Sequence, residues 1–225
     1  MEPNLSKTLV IFFDFEYYVP ETFQQGCKGI CYNPYKDGCK LIAGSFLSLI
    51  PSTDFLLSEV EIAKKIKTFT LWEYGKEIDL VRAIFKFLDE LRNEVNKAHN
   101  WQYSPILCGI GISNSDIPTL LELMRKYTIL SPKEIFKFQN NFRTLDLSQL
   151  SIASYKPRDY FLYPKSKKDI LKRYLPNIKI EHGSKVWELY ENKDYQKIIQ
   201  RIEDEVICTF KCYKSMKEDF ENINL

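Results

Sequence analysis

Val10-Ile11-Phe12-Phe13-Asp14-Phe15-Glu16-Tyr17 is the stretch on which the fold turns. Leu9 through Phe13 form an apolar run of β-branched and aromatic residues, the composition of a strand buried on both faces. Asp14 and Glu16 follow, and residues two apart on a strand share a face. Two adjacent anions taken out of water without partners cost several kcal/mol each. A hard divalent cation held by oxygen ligands removes that cost. The competing reading places both acids at a strand end, solvated or paired with lysine. From this stretch alone, both readings stand.

The chain has 225 residues, enough for a sizeable core and a single domain over 1–225. Hydrophobic residues make up 44% and charged residues 28%, an ordinary balance for a globular protein. A net charge of +2 means that any nucleic-acid contact comes from a local basic patch and not from a basic chain. No apolar run reaches membrane-span length, and the start lacks the charged-then-apolar signal pattern. The expectation is a cytoplasmic protein with no membrane contact. Cys27, Cys31 and Cys39 offer three thiols without the paired C-x2-C spacing of zinc sites, and His99 and His182 lie far away. They are expected to be reduced thiols in a loop, and Cys208 and Cys212 to be small apolar residues one helical turn apart.

Residues 17–40, punctuated by Pro20, Gly26, Gly29, Pro34 and Gly38, read as a loop or insertion after the first strand. Leu41–Ile50 reads as the second strand, stopped by Pro51, and a third lies within Lys67–Trp72. Ile78–Asn96 turns helical, with Leu80, Ile84, Leu88, Leu91 and Val95 as its apolar stripe. Pro105–Ile112 is a further buried strand, and a helix opens at Ile117-Pro118. Asp116 therefore sits at a strand-to-helix junction, where Asp is also a common cap. Phe142–Leu147 is a short strand in which Asp146 caps or pairs. Tyr155–Lys168 interleaves Lys156, Arg158, Lys165, Lys167 and Lys168 with tyrosine and phenylalanine. That composition suits phosphate contacts and base stacking, and equally suits a solvated loop. Ser166 and Asp169 resemble a capping box for a helix over Lys167–Leu175. The last helix runs from about Lys193 to Met216. With Ile202 at zero, Glu205 falls about 60° to one side, at the margin of the apolar stripe, while Asp204 points roughly 160° away. Arg201, one turn earlier, is a candidate partner for Glu205.

The order of strands and helices, and the acids on the first strand, at a strand–helix junction and on the last helix, resemble the DEDD superfamily of 3′–5′ exonucleases. The likeness is nearest to proofreading-exonuclease-like domains related to family B DNA polymerases. The first motif of that family, D-x-E, matches Asp14-Phe15-Glu16, and Asn114-Ser115-Asp116-Ile117-Pro118 is similar to the next one. The third usually reads Tyr, three residues, Asp-Val, then Thr four past the Asp. Here that frame holds Arg201, Glu205, Val206 and Thr209. The alternative histidine position, five before the acid, is Gln200, so the usual acid–base partner is missing from both places.

The resemblance implies an α/β fold with a ribonuclease-H-like mixed β-sheet, three antiparallel strands and then parallel ones, flanked by helices. It implies two Mg2+ or Mn2+ ions, with Asp14 bridging, Glu16 and Glu205 on the water-activating ion, and Asp116 on or beside the other. It also implies substrate contacts at Phe15, Asn114 and Arg201, joined by Lys165 and Lys167 from the basic stretch. The expected activity is hydrolysis of phosphodiester bonds at the 3′ end of single-stranded DNA, or of RNA. The alternative is a nuclease-fold protein that has lost catalysis and binds nucleic acid or a protein partner. A third reading leaves the acids as surface groups of an α/β domain that binds a small ligand.

Overall fold

The alternation read in the first strand is realised as β1 (Val10–Tyr18), the centre of the sheet. On one side β1 pairs antiparallel with β2 (Lys40–Leu49), which pairs antiparallel with β3 (Ile66–Thr70). On the other side lie β4 (Ile106–Gly109) and β5 (Arg143–Asp146), both parallel to β1. The computed structural model describes residues 6–25, 31–99, 103–154, 166–178 and 183–223. Among these the sheet has five strands in the order β3-β2-β1-β4-β5, so the protein is α/β with a mixed, ribonuclease-H-like sheet.

The helices follow in order. α1 (Pro51–Asp54) and α2 (Glu59–Ala63) join β2 to β3, and α3 (Leu71–Tyr74) and α4 (Glu77–Ala98) join β3 to β4. α5 (Asp116–Lys126) and α6 (Pro132–Asn140) precede β5. After it come α7 (Leu147–Leu150), α8 (Lys167–Tyr174), α9 (Lys185–Glu191) and α10 (Tyr195–Ile223). Among the described residues no helix is long and apolar enough to cross a membrane.

Both faces of β1 are covered, which is why its start reads as an unbroken apolar run. Phe13 and Phe15 point into a core shared with Phe46, Leu80 and Ile84, and with Leu120 and Leu123 of α5. Val10 and Phe12 point the other way, to Ile170 of α8 and to Val206 and Phe210 of α10. Gly44, opposite Phe15 on β2, leaves the space its ring occupies: a Cβ there would come within 2.8 Å of the ring. Asp14 and Glu16 lie on the α10 face, at the end of β1 where the apolar residues give out.

Several boundaries differ from the sequence reading. β4 stops at Gly109, short of Ile112, because the chain turns at Gly111 with φ +79° and the Ile112 side chain folds into the space a Cβ on Gly109 would fill. α10 runs past Met216 to Ile223. α1, α2, α6 and α9 lie in stretches given no element from sequence, although Ser58/Glu61 and Ser131/Glu134 each form a capping box at the start of α2 and α6. The thiol expectation needs a correction as well. Cys31 is in a disulfide, whose partner lies outside the described residues, whereas Cys39 is a free buried thiol.

Candidate metal centre

Three carboxylates from two chain-distant elements meet at one point. Asp14 and Glu16 of β1 and Glu205 of α10 each offer a ligand oxygen, and these atoms all lie within 4.8 Å of one another. Strand alternation puts the first two on the same face, and α10 packs across β1 and β2 with Ile202 and Val206 fully buried. That packing turns Glu205 to the inner margin of the helix, as its angular position requires, and leaves Asp204 exposed. The three acids open on a cavity of about 720 Å³ that Asp116, Lys167, Lys168 and Arg201 also line.

Two cations hold the acids. Lys167 Nζ lies 2.9 Å from Asp14 and 2.5 Å from Glu205. Arg201 Nε donates to Glu16 at 2.8 Å and its Nη2 reaches Glu205 at 2.5 Å. Lys167 is the first residue of α8, where the helix dipole disfavours a positive charge, so its place there follows from the carboxylates it faces. Burial works against its ammonium, but Asp14 and Glu205 outweigh burial and push the lysine above its ordinary range. The acids respond unequally. Burial raises Asp14 and Glu16, with the charge on Glu205 adding to it, whereas Lys167 and Arg201 overcome burial at Glu205 and hold it low. Two cations thus face three clustered acids, and burial shifts the two on β1 toward their neutral forms. Three converging carboxylate oxygens are donors of the kind that a hard divalent cation such as magnesium or manganese takes.

Asp116 lines the same cavity but stands outside the triad. As the first residue of α5 it is buried, and it accepts hydrogen bonds from the Tyr17 hydroxyl at 3.2 Å and the Ser115 hydroxyl at 2.5 Å. Burial raises its carboxyl, and those two hydroxyls and Lys167 pull it back. The β4–α5 turn that delivers it is tied down from β5. Asp146 accepts from the backbone N–H of Gly111 at 2.8 Å and of Ser113 at 2.9 Å, and caps α7 through Ser148 N–H at 2.9 Å.

The remaining sequence-predicted residues divide. Lys167 joins the acids directly and Arg201 pairs with Glu16 as well as with its expected partner Glu205. Phe15, which the resemblance implies as a substrate contact, is among the residues lining the cavity. Its ring is buried against Phe13 and Phe46, because alternation turns it away from Asp14 and Glu16. Asn114 is exposed in the turn and does not line the cavity. Lys165, with the rest of the basic and aromatic stretch over 155–165, lies outside the described residues. Sequence reasoning missed a polar row beside the triad: the Thr68 hydroxyl donates to Glu203 at 2.8 Å and lies 2.7 Å from Ser45, the strand partner of Asp14. Ser45, a hydroxyl between Gly44 and the apolar Phe46-Leu47 of β2, was the signal in the chain. Compared with models of protein families and with curated proteins, the chain matches none.

Proposed function

We propose that the protein is a metal-dependent nuclease that shortens nucleic acids from the 3′ end, with single-stranded DNA as the favoured substrate. The observation that carries the reading is the convergence of Asp14, Glu16 and Glu205 within 4.8 Å in a cleft. The ribonuclease-H-like strand order, and the resemblance of the D-x-E and Asn-x-Asp-Ile-Pro stretches to DEDD exonucleases, support the direction of cleavage. Asp14, Glu16 and Glu205 would hold one Mg2+ or Mn2+, and Asp116 with Asp14 would serve another. Such ions supply a hydroxide nucleophile at neutral pH and neutralise charge on the leaving oxygen. Lys167, Lys168 and Arg201, on the same cavity wall, offer charged N–H donors to phosphate oxygens. The setting proposed with this activity is the cytoplasm.

Incubation with 5′-labelled single-stranded DNA, recessed duplex and RNA in magnesium or manganese tests the proposal. It predicts a ladder of shortened products that Asp14→Ala abolishes. A ladder unchanged by Asp14→Ala, or none with any substrate, ends the catalytic reading. A second reading, nucleic-acid binding without turnover, draws on the ion pairs of Lys167 and Arg201 with all three acids. It predicts salt-sensitive binding and no products.

A further inference from the structure

A second cavity, of about 540 Å³, opens beside α3. Its charge is the reverse of the first. Lys36, Lys40, Lys76 and Lys126 line it against Asp37 and Glu77, whereas the carboxylate cavity has five acids against three cations. Glu77 is already engaged, accepting from Leu41 N–H at 2.5 Å, from the Tyr32 hydroxyl at 3.3 Å and from the Tyr127 hydroxyl. Lys126 is tied to it at 3.7 Å and to the Pro34 carbonyl at 2.5 Å. Lys40 and Lys76 are exposed and pair with no acid among the described residues. This leaves Lys40 and Lys76 facing the opening with the exposed Asp37 alone to offset them among the lining acids.

The same cavity is lined by an aromatic cluster. Trp72 of α3 and Tyr195 of α10 stack with centroids 4.3 Å apart and planes 7° from parallel. Tyr190 lies 6.2 Å from Tyr195 and 4.9 Å from Tyr18, which is two residues beyond Glu16 on β1. The aromatic rank therefore leads from the acid-bearing strand to α3. Register gives the span: Glu16 aligns with Ala43, and Ala43 with Thr70, the residue before α3. Two strand spacings make that about 10 Å.

We propose that this cavity binds single-stranded nucleic acid, stacking a base on an outer face of the Trp72–Tyr195 pair and holding phosphates on Lys40 and Lys76. Aromatic platforms beside lysines are what a strand without sequence preference requires, since every base has a face and every linkage a charge. An acidic peptide would use the lysines and leave the stacked rings idle. That the bound strand is the one whose 3′ end reaches the carboxylates rests on the nuclease reading; the binding itself does not.

The test uses the full chain in chelator, so that no cleavage intervenes. Unlabelled oligothymidylate is followed by tryptophan fluorescence and a labelled copy by anisotropy. The expected results are quenching on binding, quenching largely lost in Trp72→Phe with binding kept, and affinity about 10-fold weaker in Trp72→Ala. The exposed pair Lys40→Ala/Lys76→Ala, which leaves the core untouched, is expected to flatten the salt dependence of log K by about 1.4. Wild-type binding in both the Trp72→Ala and the double-lysine variants overturns the proposal, as does competition by polyglutamate or inorganic phosphate at the concentrations where oligothymidylate acts. The two claims fail separately. A product ladder with these variants binding normally refutes the α3 site alone; binding that depends on them without any ladder refutes catalysis alone.

Discussion

Replacing Asp146 by Asn probes how the end of the sheet positions Asp116. One carboxylate oxygen accepts from Gly111 N–H at 2.8 Å and from the Ser148 hydroxyl and N–H at 2.7 and 2.9 Å; the other accepts from Ser113 N–H at 2.9 Å. An asparagine carbonyl keeps the first three bonds but sets its NH2 against the Ser113 N–H, donor against donor. One bond to a charged acceptor, about 1.5–3 kcal/mol, is lost, and the remaining three weaken as the charge goes. The expected cost is about 3 kcal/mol, a fall in Tm of roughly 6–12 °C for a chain of this size. Calorimetry reads the fall, and hydrogen exchange at the Gly111 and Ser113 amides localises it. The pH dependence has a definite sign. Burial pushes the Asp146 carboxyl up, but the Ser148 hydroxyl and the N–H groups of Ser113, Gly111 and Ser148 together hold it below the ordinary range. With the folded pKa depressed, its contribution is complete above about pH 4 and is lost as pH falls through the folded value. The gap between wild type and Asp146→Asn therefore narrows in acid. A Tm shift near zero at neutral pH, or a gap that widens as pH drops, refutes the reasoning.

Gly44→Ala places a methyl 2.8 Å from the Phe15 ring and is expected to destabilise by about 1–3 kcal/mol, read in urea melts as a lower midpoint. Lys167→Met removes the ammonium from between Asp14 and Glu205 and leaves buried acids less compensated. Without divalent ions it is expected to lower stability by about 3 kcal/mol. Added manganese should raise its Tm by more than it raises that of wild type, because no lysine competes for the oxygens; an equal or smaller increment contradicts the competition.

Much of this arrangement is legible in the chain because it follows from local periodicity. Alternation in β1 places Asp14 and Glu16 together, and the 100° step of α10 brings Glu205 to the inner margin and turns Asp204 out. What escapes a local reading is pairing across the fold. Nothing near Lys167 announces that its ammonium will sit between Asp14 and Glu205, 153 and 38 residues away. Asp146 reads as an ordinary cap, and its hold on Gly111 and Ser113 appears only once β5 lies beside β4. Phe15 is the opposite case: motif resemblance draws it toward substrate, while its own strand parity assigns its ring to the core. The helix starts at Ser58 and Ser131 carry capping boxes and are readable in the chain; α9 has no such box, and packing against β1 settles it.

The account rests on Asp14, Glu16 and Glu205 acting together as an oxygen cage for a divalent cation. Titration of the chelator-treated protein with manganese, followed by electron paramagnetic resonance, tests that most directly. Saturable binding is predicted for wild type, weakened more than 10-fold by Asp14→Asn and by Glu205→Gln separately. Binding that neither substitution alters, or no saturable binding by wild type, contradicts it.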